Sequence, residues 1–299
     1  MSILGMFDLT KRFRGTVALD GLNLEVPEGS VYALMGANGA GKTTAIKILM
    51  NILRPTAGCA GALGVDSRDL SPHEFQQIGY VSENQEMPEW MTVQYFMAYL
   101  KPFYPTWDDA RAEELLRQFD LPRDRKLKHL SRGMKMKAAL ASSLAYRPTL
   151  IVLDEPFTGL DPLVRDELIE GLLESASEAT IFISSHDLAE IESFASHVGY
   201  LERGKLQFSE EMTALSARFR EVEVTLDAAP VLPAEWPSTW FRPETSGAVV
   251  RFVESQFDEV RTMAEVRKMF GEPRGVSMIP MALRSIFVAL TKVQRRAAE

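Results

Sequence analysis

Residues 36–43 of this chain read Gly-Ala-Asn-Gly-Ala-Gly-Lys-Thr, which meets every requirement of a phosphate-binding loop. Its glycines let successive backbone N–H groups converge on a phosphate chain, because glycine adopts conformations that other residues avoid. The pattern assigns Lys42 to the β- and γ-phosphates of a nucleotide and the hydroxyl of Thr43 to a magnesium ion. The alternative, an ordinary glycine-rich turn, is disfavoured by the segments on either side.

Those two segments predict a strand before the loop and a helix after it. The apolar run Val31–Met35 is typical of a buried strand, and residues 44–50 favour a helix. The N-terminus of such a helix adds the positive end of its dipole, which stabilises a bound phosphate. The context therefore supports a phosphate site.

Two further apolar runs end in side chains that can do chemistry. The run 149–153 ends in Asp154 and Glu155, and the run 181–183 ends in Ser184, Ser185 and His186. Both runs predict buried parallel strands, whose carboxyl ends meet at one edge of a sheet. A hydrolase triad of serine, histidine and Asp187 is excluded, because neighbours in sequence cannot take those relative positions.

A second anion site is predicted where a basic stretch meets a helix. Residues 123–137 hold seven lysines and arginines against one acid. Such a run is usually a solvated face, but here it surrounds Ser131, a good N-cap for a helix that continues to Ala145. A helix start with a hydroxyl, Gly133 and local positive charge can bind an anion.

Composition limits the classes to which the chain can belong. A net charge of -8 over 299 residues disfavours a general nucleic-acid binder. The single cysteine excludes an internal disulfide framework and suits a reducing cytosol. Apolar runs are shorter than the roughly 18 to 20 residues that span a bilayer. Any membrane part of the system is therefore expected on another chain.

The remaining patterns predict the organisation of the chain. Residues 88–120 have helical spacing behind caps at Thr92 and Asp108. The methionines and aromatic residues of this stretch have two interpretations. They pack within a helical subdomain, or some of them line a surface for a partner helix, namely Pro88, Trp90, Met91 and Met97. After about residue 219 we predict a small α+β domain with strands at 221–226 and 247–253 and helices at 258–270 and 281–295.

The order of these motifs resembles the nucleotide-binding subunit of an ATP-binding cassette (ABC) transporter over residues 3–215. The most specific segment is Leu-Ser-Arg-Gly-Met at 130–134, followed by Leu-Asp-Glu-Pro at 153–156. The resemblance implies an α/β phosphate-loop ATPase core with an antiparallel β subdomain and a helical subdomain at about 85–145. We expect an ATP-binding domain at 1–215 and a small accessory α+β domain at 219–299.

The resemblance also implies a role for each matching residue. Glu155 matches the general base, His186 the switch histidine, and Asp154 a magnesium ligand. Phe13 matches the aromatic that stacks on adenine, although a strand residue packed inward is the alternative. The triphosphate is expected on Gly36, Ala37, Asn38, Gly39, Ala40, Gly41, Lys42, Thr43 and Thr44. The signature segment, Ser131, Arg132, Gly133 and Met134, is expected to close over ATP of a second subunit, and Asp161 to communicate across that dimer.

Two positions depart from the family pattern. Glu83 stands where the family usually has glutamine, and Gln85 comes two residues later. We predict that Glu83 is a magnesium ligand; the alternative is a solvated loop acid. Arg132 stands where glycine is common, and either contacts nucleotide phosphates or points to water.

These expectations define a hypothesis and its rivals. The chain is expected to bind ATP and Mg²⁺, and to power transport, in the direction of export, through membrane-spanning subunits on separate chains. Its place would be cytoplasmic, peripheral on the inner face of the cell membrane, in a homodimer or heterodimer. The C-terminal run 282–291 is similar to the tail of cassettes that drive bacterial exporters. The rivals are a soluble ATPase of the same class acting on nucleic acid or ribosomes, which the acidic balance disfavours, and an ATP sensor that barely hydrolyses, which Glu155 and His186 argue against.

Overall fold

The computed structural model describes residues 1–176, 179–231 and 235–297. The chain forms two compact units, Met1–Ser209 and Glu210–Glu299. In the described part of the chain, no helix combines the length and the apolar character needed to cross a membrane.

Both units contain strands and helices. The strands are β1 (Ser2–Phe13), β2 (Thr16–Pro27), β3 (Val31–Met35), β4 (Ala57–Ala62), β5 (Val65–Asp66), β6 (Ile78–Ser82), β7 (Leu150–Asp154), β8 (Thr180–Ser185), β9 (His197–Glu202), β10 (Lys205–Glu211), β11 (Arg220–Thr225), β12 (Trp240–Ser246), β13 (Val249–Glu254) and β14 (Gly275–Pro280). The helices are α1 (Lys42–Leu49), α2 (Pro72–Phe75), α3 (Val93–Leu100), α4 (Asp109–Gln118), α5 (Arg132–Leu144), α6 (Pro162–Ala176), α7 (Met212–Arg218), α8 (Glu259–Phe270) and α9 (Leu283–Ala297).

The central sheet of the first unit confirms the predicted buried strands. Its order is β10-β9-β3-β8-β7-β6, and the strands from β9 to β6 are parallel. Every residue of β3, β7 and β8 is buried, as expected for strands covered on both faces. The register aligns Ser82 with Asp154, and Asp154 with Ser184. The motifs that follow these strands therefore meet at one edge of the sheet.

A second, antiparallel sheet has the order β2-β1-β4-β5. In this sheet β1 and β2 each run for 12 residues. Shifts in their register allow such long strands to bend around the core, as β-bulges do. Their inward side chains join those of α1 in one apolar cluster, which includes Leu9, Leu22 and Ile46.

The helical part of the first unit confirms the predicted caps. Thr92, Asp108 and Ser131 accept hydrogen bonds from backbone N–H groups at the starts of α3, α4 and α5. A 3₁₀ turn at Lys101–Phe103 separates α3 from the loop that leads to α4. Met91 and Met97 are buried, which excludes them from a partner surface, whereas Trp90 is 63% exposed.

The second unit contains an antiparallel sheet with the order β12-β13-β11-β14, together with α7, α8 and α9. The predicted strands β11 and β13 and both predicted helices are confirmed, but β12 and β14 were missed. Pro243 lies within β12 and Pro280 ends β14, and both are edge strands, where proline is tolerated. Trp240 stacks on Phe252 in its core, with ring centroids 3.7 Å apart.

Candidate active site

The phosphate loop connects β3 to α1, as predicted. Gly41 precedes the helix with φ +115, and an added Cβ there would lie 2.5 Å from the carbonyl oxygen of Ala18. Glycine is therefore required at this position both for its backbone conformation and for space. No side chain caps the start of α1, so its first backbone N–H groups are available to an anion.

Lys42 is buried, and its ammonium group is held from three directions. Its Nζ donates to the carbonyl oxygens of Gly36, at 2.5 Å, and Ala37, at 3.3 Å. It also lies 3.0 Å from Oε1 of Glu155. A buried charge needs such compensation, and here the loop and the carboxylate supply it.

The carboxylate of Glu155 lies where three distant segments meet. Besides Lys42 it contacts Nδ1 of His186, at 2.7 Å, and it accepts a hydrogen bond from Thr158 Oγ1 at 3.0 Å. Its own backbone has φ +52, a left-handed conformation that is uncommon for a residue with a side chain. The hydroxyl of Ser184 accepts from the Glu155 N–H at 3.0 Å and helps to hold this conformation.

These contacts determine the charges of Glu155 and His186. Burial acts to raise the pKa of Glu155, but the hydrogen bond with His186 and the charge of Lys42 outweigh it, so that pKa is lowered. The hydrogen bond to Glu155 raises the pKa of His186 above its ordinary value. Glu155 is therefore an anion at neutral pH, and the imidazole next to it is biased toward its protonated form.

Asp154 and Thr43, two of the predicted magnesium ligands, are in contact. Oδ1 of Asp154 accepts hydrogen bonds from Ser184 Oγ, at 2.7 Å, and Thr43 Oγ1, at 3.0 Å. Burial raises the pKa of Asp154. Carboxylate and hydroxyl oxygens are ligands that Mg²⁺ prefers, and a buried carboxylate that binds only hydroxyl groups is suited to a cation. The donor set therefore fits a magnesium ion.

One cavity of about 360 Å³ lies beside the phosphate loop. It is lined by Ala18, Asn38, Gly39, Ala40, Gly41, Lys42, Thr43, Thr44, Glu83, Glu155, Thr158 and His186. Phe13 is 47% exposed at the end of β1, so the alternative of an inward strand residue is excluded. Ala18 of the β1–β2 hairpin lines the cavity.

The signature residues form a second group at the start of α5. Ser131 Oγ accepts from the N–H of Met134 at 3.2 Å, and a Cβ on Gly133 would lie 2.9 Å from Cγ1 of Val164. Asp161 accepts from the N–H of Val164 at 3.1 Å. The structure thus brings the signature segment and the segment of Asp161 together around Val164.

Arg132 and Glu83 form a contact that the sequence patterns did not reveal. The guanidinium NH2 lies 2.5 Å from Oε1 of Glu83. Arg132 therefore does not simply point to water within its own subunit, and Glu83 is not simply a solvated acid.

Two residues of the site, Ala18 and Thr158, were missed from the sequence, and Ser184 was named there without its partner Asp154. Ala18 carries no recognisable signal. Ser184 follows a predicted buried strand, and its place beside Asp154 could have been found only by pairing that strand with β7. Thr158 lies three residues after Glu155, close enough for a local hydrogen bond to have been considered.

Comparison with known proteins supports the family suggested by the motifs. A family model described as ABC transporter matches residues 19–158. The chain is 31% identical over 302 residues to the daunorubicin/doxorubicin resistance ATP-binding protein DrrA of Streptomyces peucetius, covering 95% of this chain and 90% of that protein. The chain belongs to the ABC transporter ATP-binding proteins. Within this family it is also 31% identical, over 218 residues, to the bacitracin transport ATP-binding protein BcrA of Enterococcus faecalis, covering 72% of this chain and 71% of that one.

Solved structures agree with this assignment. An ATP-binding subunit of an ABC transporter, 28% identical, has a TM-score of 0.66 and covers 72% of this chain and 92% of that one. A dimeric ATP-binding cassette in a post-hydrolysis state, bound to ADP and Pi, shares the fold with a TM-score of 0.62 at 24% identity, over 70% of this chain and 98% of that chain. This ABC protein is an ATP-binding subunit of a transporter, and an ATPase.

Proposed function

We propose that this subunit hydrolyses ATP with Glu155 as the general base, and that hydrolysis powers export. The observation that carries the proposal is the carboxylate of Glu155, ionised and held beside the phosphate loop by His186 and Lys42. An ionised carboxylate within reach of a water at the γ-phosphate can accept its proton. The histidine restricts the orientation of that carboxylate and can support charge on the transferring phosphoryl group.

The loop binds the phosphates of ATP in this proposal. When ATP binds, the ammonium group of Lys42 leaves Glu155 and contacts the β- and γ-phosphates. The carboxylate of Glu155 is then free to act as the base. The N–H groups at the start of α1 contribute further donors. Phe13, exposed at the end of β1, stacks on the adenine. The Nζ of Lys11 lies over the Phe13 ring, 5.1 Å from its centroid, and such a cation is attracted to the face of an aromatic ring.

Magnesium would be held by Thr43, Asp154 and Glu83. When bound, it neutralises charge on the phosphates during phosphoryl transfer. Thr43 and Asp154 present their oxygens together, since both take part in one hydrogen bond. Glu83 lines the same cavity.

The signature residues Ser131, Arg132, Gly133 and Met134 would cover the ATP of a second subunit, and Asp161 would communicate between the two sites. Ser131 caps α5, so the N-terminus of this helix is presented to an anion. ATP between the subunits would hold the dimer closed, and hydrolysis would open it. The second subunit would be another copy of this chain or a different ATP-binding subunit.

The membrane subunits would dock on an aromatic groove. This groove has a volume of about 450 Å³ and is lined by Met50, Ile52, Phe75, Ile78, Tyr80, Gln85, Glu86, Pro88, Phe96, Tyr99, Leu100, Tyr104, Ser142, Ser143 and Tyr146. Ile52 and Tyr99 expose about half of their surface or more, which is suited to a partner helix. The subunit would then lie on the cytoplasmic face of the membrane, attached through its partners.

Export is favoured by the relatives. DrrA is named for resistance to daunorubicin and doxorubicin, and BcrA for transport of bacitracin. YbhF of Escherichia coli, 32% identical over 74% of this chain and 40% of that protein, is named a probable multidrug ABC transporter protein. The rival function on nucleic acid or ribosomes lacks comparable support, and the net charge of -8 opposes it.

The test is Glu155→Gln. The amide cannot accept a proton, so we expect turnover to fall by about 100-fold or more while ATP binding persists. The variant should then accumulate as a closed dimer with ATP and magnesium, measured by size-exclusion chromatography. The control is Glu113→Gln, which changes an exposed carboxylate on α4 that pairs with Arg123. A Glu155→Gln protein that hydrolyses ATP normally and stays monomeric would contradict both the base and the dimer.

A further inference from the structure

Two residues that separately depart from the family pattern are partners in this molecule. Glu83 follows β6 and Arg132 begins α5, and 49 positions separate them in the chain. Their charged groups nevertheless lie 2.5 Å apart, with 28% and 49% of the side chains exposed. The acid and the base thus form one ion pair, although the sequence suggested an independent role for each.

Both residues are placed by the backbone rather than by their mutual attraction alone. The N–H of Glu83 donates to the carbonyl oxygen of Asp154 at 2.9 Å, which ties the start of its loop to β7. Arg132 is the first residue of α5, directly after the cap formed by Ser131. A Cβ on Gly159 would lie 2.9 Å from NH1 of Arg132. The guanidinium group therefore rests between the Gly159 backbone and the carboxylate of Glu83.

The pair matters for the charge of the cavity. Glu83 and Glu155 both line it, and its ligand carries the negative charge of two or three phosphates. Lys42 and His186 balance Glu155. Arg132 is the group that balances Glu83. Without Arg132, the negative carboxylate of Glu83 would repel the negative phosphates of the nucleotide. The positive charge of the guanidinium group offsets this repulsion.

We propose that Arg132 is a positioning residue for the ATP site of its own subunit, where it orients and neutralises Glu83. This role is additional to the contact that the signature segment would make with the nucleotide of a second subunit. It rests on the proposed function only in placing the nucleotide phosphates on the loop at Lys42. It also explains why an acid is compatible with a position that usually carries an amide.

The proposal is tested by ADP binding in the presence of EDTA, with the full-length protein. ADP and the absence of metal exclude a contribution from hydrolysis, and a low protein concentration keeps the subunits apart. Four proteins form a double-mutant cycle: wild type, Arg132→Ala, Glu83→Gln and the double variant. Arg132→Lys tests for partial rescue by charge, and Arg68→Ala, which breaks an exposed pair with Asp66 on the β4–β5 sheet, is the matched control.

Arg132→Ala should weaken ADP binding by roughly three- to tenfold, the size expected for neighbours in one ion-pair network. Glu83→Gln should not weaken it, and the double variant should resemble Glu83→Gln because no unbalanced carboxylate remains. Arg132→Lys should retain most of the affinity. Salt at about 1 M should reduce the effect of Arg132→Ala, since screening acts on exposed charges. A purely structural role of Arg132 would give neither the salt dependence nor the rescue.

An equal loss from Arg132→Ala with and without Glu83 would overturn the proposal, because the arginine would then act on the phosphates directly. Unchanged affinity in Arg132→Ala would overturn it as well. In both cases normal binding by wild type and by Arg68→Ala leaves the proposed function intact. Failure of the wild type to bind ADP at all would instead contradict the phosphate site itself, and this proposal with it.

Discussion

The two units of the chain each bury a glutamate, and their surroundings differ. Glu155 in the first unit is 9% exposed and Glu254 in the second is 0% exposed. The carboxylate of Glu254 accepts hydrogen bonds from the Gln256 N–H, at 2.8 Å, and from Thr239 Oγ1, at 3.2 Å. The guanidinium of Arg261 lies 3.9 Å from Oε1 of Glu254 and is a more distant third partner. All three partners lie within 15 positions of Glu254 in the chain, so its contacts are local.

Glu155 instead meets side chains from segments far apart in the chain, and it lines a cavity. Lys42 precedes it by more than a hundred positions, and His186 follows it by 31. Its backbone is also held in an uncommon conformation, with φ +52. A buried charge that serves only the stability of the fold needs hydrogen-bond partners or an opposite charge, and nothing more. A buried charge whose partners come from distant segments and line a cavity therefore indicates chemistry, whereas a buried charge with local partners indicates a role in stability.

The largest effect is expected from a change of Lys42. It tests whether Lys42 and Glu155 belong to a nucleotide site or form an ordinary buried ion pair. Lys42→Ala should weaken ATP binding by roughly 100-fold, because charge-assisted contacts to the phosphates are lost. Equilibrium binding of labelled ATP measures this. Lys101→Ala, which breaks an exposed pair with Asp109, is the control, and near-normal affinity of Lys42→Ala would refute the assignment of the loop.

The corresponding change in the second unit should affect stability alone. Glu254→Ala leaves the Gln256 N–H and the Thr239 hydroxyl without their acceptor, so the free energy of unfolding should fall by about 1–3 kcal/mol. Nucleotide affinity should not change. Urea denaturation followed by tryptophan fluorescence measures this, since Trp236 and Trp240 lie in this unit. Glu223→Ala, which removes an exposed partner of Arg251, should cost under about 1 kcal/mol; equal losses in the two variants would remove the contrast.

A smaller effect is expected in the pH dependence of the nucleotide-free protein. The raised pKa of His186 means that its contribution is complete below pH 6.5 and is lost as pH rises through the raised value. The lowered pKa of Glu155 means that its contribution is present above pH 4.5 and is lost as pH falls through the lowered value. Glu155 and His186 therefore stabilise the first unit most between pH 4.5 and pH 6.5. His186→Asn should remove the decline in the denaturation midpoint that the wild type shows as pH rises above 6.5, and an unchanged profile would contradict the pairing.

The smallest effect is expected at Glu83. Glu83→Gln should leave the maximal ATPase rate within about threefold but raise the magnesium concentration needed for half of it, because a charged oxygen attracts the ion more than an amide oxygen. Glu83→Ala should raise it further and slow turnover. Magnesium titrations of the ATPase rate compare the three proteins. Identical half-saturation would show that Glu83 is not a ligand and would leave its contact with Arg132 as its role.

Much of the first unit could be predicted because its signals are local. Gly39 and Gly41 have φ +80 and +115, a backbone conformation that favours glycine. The run 150–153 is apolar because both faces of the central sheet are covered. The caps at Thr92, Asp108 and Ser131 act within one helical turn of their own positions. Such features depend on neighbours in the chain, so the order of residues suffices to recognise them.

The edge strands and the cross-chain contacts could not be predicted in this way. β12 and β14 carry weak local patterns, and their pairing with β13 and β11 determines their conformation. Likewise, Ser184 meets Asp154 because the register of β7 and β8 aligns them.

The order of residues was therefore enough to recognise the phosphate loop, the buried strands that deliver Asp154 and Glu155, and the family. The tertiary structure alone decided which charges meet. It joined Glu83 to Arg132, gave Glu155 its partners Lys42 and His186, and buried Met91 and Met97 while leaving Trp90 exposed. The physical reason is that local backbone preferences act over a few residues, whereas the pairing of charges depends on the packing of segments that are distant in the chain.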